Sequence, residues 1–323
     1  MASPHNWTWD ADVGVFKNHY ISNKLLEVSI GEAKVYQFTM DPGTGFGKGK
    51  GEYVHMMHVT PLTRSTSSVL AETTRIPVRK LTLGDRALQV KEYGEGVEYT
   101  NLAEELSKFK PSNYLQKELR KQMVDALDTH SAAAFKEAAT VLVTFTPSTV
   151  SAGTFLTTGL FNAVVTVGLT YQHCKLLVDY LRDTIHCPPY EGDNYVGLSC
   201  NRNMRSLKND PNWILPHLYL QKGDFFYKGE QGMTEGIRWV EVNRAMAFAN
   251  SSGTSSTLGE AVVFGDEGIA AIEVDTPHLR VQSNYQMDFG RSHAAAWYGL
   301  LALGSVWASA SDGHAKIIRI GSL

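Results

Sequence analysis

Three stretches of this chain hold residue types that do chemistry elsewhere, and none has the spacing that chemistry requires. The run DPGTGFGKGKG carries Gly43, Gly45, Gly47, Lys48, Gly49, Lys50 and Gly51. A phosphate-cradling loop needs its lysine followed by serine or threonine, whereas Lys48 and Lys50 are each followed by glycine. The dinucleotide spacing GxGxxG fails as well, because Lys48 and Lys50 stand where the third glycine belongs. His55 and His58 lie in an alternating segment, and residues three apart in a strand face opposite ways, so they cannot share a metal. Gly197-Leu198-Ser199-Cys200-Asn201 is one residue short of a GxSxG nucleophile elbow, with Asn201 where the sharp turn needs glycine. Cys200 has no local base either.

Cys174, Cys187 and Cys200 are too far apart for zinc ligation, whose paired ligands sit about 2–4 residues apart. They read as free thiols in a reducing compartment. Glu104 and Glu105 are adjacent and read as a solvated helix face, not as a carboxylate pair spaced for acid–base work. Asp210-Pro211-Asn212-Trp213 has turn chemistry, with its tryptophan as a packing anchor. The aromatics are not interleaved with Lys and Arg, so no single-strand nucleic-acid groove is signalled. No catalytic residue, cofactor or metal is expected.

The elements that would position these residues are those of a mixed α+β protein. The chain has 323 residues, 43% hydrophobic and 20% charged, and a formal net charge of −3. That balance excludes a body held on nucleic acid by strong positive charge. The N-terminus lacks a signal-peptide pattern, and no apolar run approaches the roughly 20 residues of a membrane span, so the expectation is a soluble, intracellular protein. The segments KVYQFTM from Lys34 and EYVHMMHV from Glu52 flank the glycine-rich run and predict a long hairpin with a mobile tip at 43–51. IPVRKLTL from Ile76 reads as a returning strand, giving a β arm over 34–80.

Pro111-Ser112 opens the clearest helix, with Ser112 as its N-cap. Leu115, Leu119, Met123 and Leu127 recur at helical spacing as its core stripe, continued by His130, Ala134 and Ala138. Lys117, Arg120, Lys121, Asp125 and Asp128 mark the polar face. Residues 112–139 would form a spine roughly 40 Å long. A second helix fits 171–183 with Thr170 as N-cap, ended by Pro188-Pro189. VLVTF, YVGLSC, IRWVEV, EAVVFG and AKIIRI read as strands.

The order of these pieces carries more than any one of them. EYGEGVEYTNLAEEL is followed by ALDTHSAAAF, LLVDYLRD, YVGLSCNRNMRSLKNDPNWI, YKGEQGMTEGIRWVEV and GEAVVFGDEGIAAI. In content and order this resembles the major capsid proteins of tailed bacteriophages, in the branch found in podoviruses related to coliphage N-four. The motifs fall at 207–213, 229–241 and 259–265, and the likeness covers about 50–275. Met233, Thr234 and Ile237 depart from the family pattern, and neither the first 34 residues nor 286–323 match clearly.

The resemblance implies a Hong Kong 97-like fold: N-terminal arm 1–33, extended β arm (E-loop) 34–80, peripheral domain with the spine helix 81–168, axial domain 169–275, and a return to the peripheral domain over 276–323. It implies a structural protein, not an enzyme, that assembles in the host cytoplasm through hexamers and pentamers into an icosahedral shell. Its partners would be other copies of itself, portal, scaffolding and decoration proteins, and packaged double-stranded DNA held without sequence-specific contact, with no membrane. The E-loop tip, from Gly43 to Gly51 with Lys48 and Lys50, would be a subunit contact. An encapsulin-like nanocompartment, an intracellular hydrolase and a monomeric binding module are the alternatives.

Overall fold

Runs such as VLVT, AVVF and IIRI are apolar at successive residues, the pattern of strands covered on both faces. In a computed structural model they form the middle of one sheet. The residues described are 34–41, 46–60, 62, 69–70, 72–73, 75–107, 111–146, 153–157, 167–214, 230–242, 259–283, 291–306 and 316–322, all within one unit, Glu32–Leu323. The strands of that sheet are β4 (Thr140–Thr144), β5 (Gly153–Leu156), β6 (Tyr195–Ser199), β7 (Glu230–Thr234), β8 (Ile237–Glu241), β9 (Gly259–Phe264) and β12 (Ile317–Ser322). Their order is β5-β4-β12-β9-β6-β8-β7, parallel at β4–β12 and β6–β8 and antiparallel elsewhere.

One face of this sheet is covered by helices α3 (Tyr171–Asp179) and α4 (Asn201–Lys208). Leu177, Leu181, Met204 and Leu207 pack there on Tyr195, Trp239 and Ile318. Gly197 is required at this contact, since a Cβ would stand 2.6 Å from the Trp239 ring. Thr170 begins α3, its N–H donating to Nδ1 of the fully buried His173 at 3.0 Å. His173 Nε2 lies 3.2 Å from the Phe145 carbonyl, so the neutral tautomer protonated at Nε2 satisfies both ends. Glu235 and Gly236, both at positive φ, make the two-residue turn between β7 and β8, which explains the TEGI of the motif.

Helix α2 (Pro111–Lys136) covers the other face with its C-terminal half, where Phe135 and Ala138 just beyond the helix pack on Val196, Val262 and Phe264. Its N-terminal half lies on a second, three-stranded sheet. That sheet joins β3 (Lys91–Thr100), β10 (Ile269–Ser283) and β11 (Ser292–Ser305) in the order β10-β11-β3. Leu119 packs there on Ala295 and Trp297 with Met123 beside it. Leu119 and Leu127 are buried, Leu115 and Met123 half-buried. A short helix, α1 (Asn101–Leu106), follows β3 directly, with Thr100 Oγ1 accepting from the Ala103 N–H.

Five expectations need correction. The helix begins at Pro111, so proline supplies its first residue and Ser112 lies in the first turn, not at the cap. His130 is exposed, its ring edge-on to Tyr93 at 4.7 Å, and so leaves the core stripe. Asp128 is buried, not solvated: its Oδ1 accepts the N–H groups of Val35 at 2.6 Å and Tyr36 at 3.0 Å. Those bonds bend the expected strand from Lys34 into a 3-10 turn, Tyr36–Phe38, before Met40 forms a lone parallel bridge to Ala270. The hairpin is instead β1 (Tyr53–Thr60) with β2 (Thr82–Gln89), reaching past residue 80. The last strand, β12, sits between β4 and β9 in the seven-stranded sheet, and β11 lies in the three-stranded sheet. Residues 1–33, including the aromatic N-terminal arm, lie outside the described residues.

Leu119→Ala removes a buried side chain from the helix–sheet contact and should cost about 2–5 kcal/mol. Lys121→Ala breaks a partly exposed i,i+3 pair with Glu118 on the helix's polar side and should cost under about 1 kcal/mol. Denaturant unfolding of the two variants checks this, and equal losses would mean that the helix face is misassigned.

Candidate assembly surfaces

Strand β1 reads YVHMMHVT and is apolar on both faces, which a strand at the surface of a monomer does not need. Val54 and Met56 point inward and, with Leu88 of β2, pack on Ala270, Ile272 and Ala302. Tyr53, Met57 and Val59 point the other way into solvent. Leu83, Ile76 and Val78 continue this exposure, and Val78 is 85% exposed. Most of the exposed large apolar side chains among the described residues lie between Tyr53 and Leu83. Among the described residues the arm's two strands pair only with each other, and a lone two-stranded hairpin is marginal in water. Among those residues the packing that supports it is at its root.

The described part of the glycine-rich run, 46–51, is at that root, ahead of β1, and not at the far end between two strands. Gly43 and Gly45 lie outside the described residues. Gly49 and Gly51 take positive φ values of 82° and 104°, which explains two of the glycines. Lys48 Nζ stands 3.4 Å from Asp275 Oδ1 at a register shift in β10, and Arg280 approaches the same carboxylate at 3.4 Å. Arg280 also lies over the Tyr298 ring at 4.4 Å. Lys50 is exposed, and a side chain at Gly47 would meet nothing within 4 Å.

The motifs with a superficial look of catalysis are packed away or split apart. Ser199 is fully buried at the end of β6, its hydroxyl 3.2 Å from the Cys200 carbonyl, and is not raised on an elbow. His55 faces outward with Nδ1 2.8 Å from Asp85, while His58 lies on the opposite face of β1 over Gly84. Glu104 and Glu105 sit on α1, half-buried and exposed. Trp213 is buried in the core under α3 and α4. Burial pushes the Cys187 thiol up to about 11 and raises the fully buried Cys174 thiol as well. Among the described residues, no group of three or more His, Cys, Asp or Glu is placed to hold a metal ion. No helix among them is long and apolar enough to cross a membrane.

No family model and no curated protein matches the sequence. Solved structures do match, over nearly the whole chain. The capsid asymmetric unit of cyanophage Pam1 superposes with a TM-score of 0.70 at 13% identity, covering 98% of this chain and 99% of that one. The acid-stable capsid of Helicobacter pylori bacteriophage KHP30 gives 0.71 at 10% identity, with coverage of 98% and 99%. The capsid of Ralstonia phage GP4 gives 0.62 at 11%, covering 98% of both chains. At such identities the likeness is one of fold. The chain has the Hong Kong 97-like fold shared by these phage capsid structures, as the resemblance of its motifs implies.

The thiols give a pH test. Cys174 and Cys187 keep their protons in the fold to a higher pH than in the unfolded chain, where a thiol ionises near 8.5. The unfolded state therefore binds fewer protons between that value and the folded one, and stability falls as pH rises through this window. The melting temperature should be level from pH 7 to 8 and decline from pH 9 toward 11. At pH 8 roughly one Cys187 in a thousand is thiolate, so a thiol reagent should label half-buried Cys200 first and all three only after unfolding. Fast labelling of all three in the native protein would contradict the burial described.

Proposed function

We propose that this chain is the major capsid protein of a tailed bacteriophage, a structural subunit that builds a closed shell around double-stranded DNA. The observation that carries the reading is the β1–β2 arm, which holds most of the exposed large apolar side chains among the described residues and packs on the body through Val54, Met56 and Leu88. Exposed apolar surface of this kind marks an interaction site. The whole-chain likeness to phage capsid structures gives that site its occupant, a neighbouring copy. Copies joined head to tail close into rings when the rotation closes, and rings joined by arms make a shell.

On this reading the seven-stranded sheet with α3 and α4 is the core of the axial domain, and α2 with the three-stranded sheet is the peripheral domain. The arm is the E-loop, with 43–51 as the contact at its root. Hexamers and pentamers are the expected rings. Portal, scaffolding and decoration proteins are the further partners, and assembly takes place in the host cytoplasm before DNA is packaged. The net charge of −3 suits a wall that encloses DNA without gripping it. Catalysis has no part in this function.

Electron microscopy of the protein expressed with its neighbouring genes should show closed shells of uniform size. Only monomer on size exclusion and no particles on the grid would overturn the proposal. A double charge reversal, Lys48→Glu with Lys50→Glu, should leave subunit melting nearly unchanged, because an exposed pair such as Lys48–Asp275 is worth about 0–1 kcal/mol. The same change should lower shell yield, since every subunit repeats the contact. Normal shells from this variant would remove 43–51 from the contact while leaving the shell reading intact.

A further inference from the structure

Among the described residues, strand β3 is an edge that lacks proline and bulges and is guarded by charge alone. It ends the three-stranded sheet, pairs with β11 without a register shift from Lys91 to Thr100, and is exposed at nearly every residue. Edge strands are normally blunted by proline, bulges or lysines. The opposite edge, β10, has Pro277 and two register shifts. β3 has neither, and its charges are Glu92, Glu95 and Glu98 against Lys91. Glu95 accepts from Gln122 and Glu92 from Tyr298, each through one oxygen. Such an edge is open to strand addition, and its charge selects a cationic strand.

The arm carries the complement. Residues 75–80 read RIPVRK, with Arg75, Arg79 and Lys80 and no acid, and all are exposed and outside any helix or strand. Ile76, Val78 and Lys80 alternate with Arg75, Pro77 and Arg79, a strand pattern. Proline has no N–H to give a ladder, and the alternation puts Pro77 on the side that would face away. Ile76, Val78 and Lys80 are then left with N–H groups to pair. Thr82, where this segment enters β2, is eight residues of strand from the start of β3, roughly 27 Å. That separation favours the β3 of another copy over the chain's own.

We infer that segment 75–81 of one copy adds as a fourth strand to the outer edge of β3 in a neighbouring copy. Arg75, Arg79 and Lys80 there meet Glu92, Glu95 and Glu98. The inference rests on the proposed shell reading and specifies which two surfaces join.

Zero-length carbodiimide coupling of assembled particles, read by mass spectrometry, tests the contact directly. Lys80 should link to a β3 carboxylate in particles and not in separated subunits. The triple variant Arg75→Glu, Arg79→Glu, Lys80→Glu should melt like the parent as a subunit and give about tenfold fewer shells. Adding Glu92→Lys and Glu98→Lys should restore the yield. A Lys80 link to some other surface, a loss without rescue, or normal shells from the triple variant each overturns the inference. Normal shells that fail to retain DNA would assign the cations to DNA, and overturn it too. If the parent forms no particles, the shell reading fails first and this inference with it.

Discussion

Helix α2 belongs to two cores at once, and the rest of the subunit depends on that. Its N-terminal half closes the three-stranded sheet through Leu119, and residues at its C-terminal end close the seven-stranded sheet through Phe135. At the second contact the buried carboxylate of Glu260 on β9 meets Arg319 of β12 at 2.9 Å and Lys136 of the helix at 3.7 Å. A buried pair is weak evidence of net stability, but removing one partner strands the other, a loss of about 3–5 kcal/mol. The network therefore fixes where the helix meets the sheet more than it adds stability. Asp128 binds the turn at Val35 and Tyr36 to the same helix, so the chain's approach to β1 starts from a fixed point.

The arm has the opposite physics. Its root is locked by Val54, Met56 and Leu88, but beyond them no described element covers either face of the hairpin. A two-stranded sheet cannot bury enough area to offset the entropy of ordering its chain. An arm with Met57, Val59, Ile76 and Val78 outside is therefore expensive in a monomer and sensible in an assembly, where a neighbour supplies the missing layer. On the proposed shell reading, rigid body and unsupported arm are complementary: the body would hold the angle between copies, and the arm would take up small differences between non-identical neighbours.

How much of this was legible follows the range of the interactions. β4, β6, β8, β9 and β12 could be read because continuous apolar runs mark strands buried on both faces. Leu119 and Leu127 could be read because helical spacing is local. The strand expected from Lys34 failed because its conformation is set by Asp128, 93 residues away, and no local pattern carries that bond. β10 and β11 went unread although they are the longest strands. HAAAWYGLLALG is small and mixed in character, and its strand form is decided by α2 on one side and two neighbouring strands. The arm follows the same rule: the glycine-rich run reads as a hairpin tip from its composition, whereas the exposure of Tyr53, Met57 and Val59 depends on what packs over β1, which alternation alone does not carry.

Charge is distributed to suit repeated weak contacts. The near balance of 30 Lys plus Arg against 33 Asp plus Glu hides local segregation, cations at 75–80 and acids along β3. Exposed ion pairs are individually worth about 0–1 kcal/mol and are weakened by salt. In a monomer that would be a poor investment of sequence. In a closed shell weak contacts have an advantage, because a misplaced subunit held by a few of them can leave before its neighbours lock it in. Once rings close, every subunit is held by all of its contacts together, and effective concentration makes the sum far stronger than its parts. On the proposed reading the apolar outer face of the arm would then supply affinity, and the charges would decide which surface it meets.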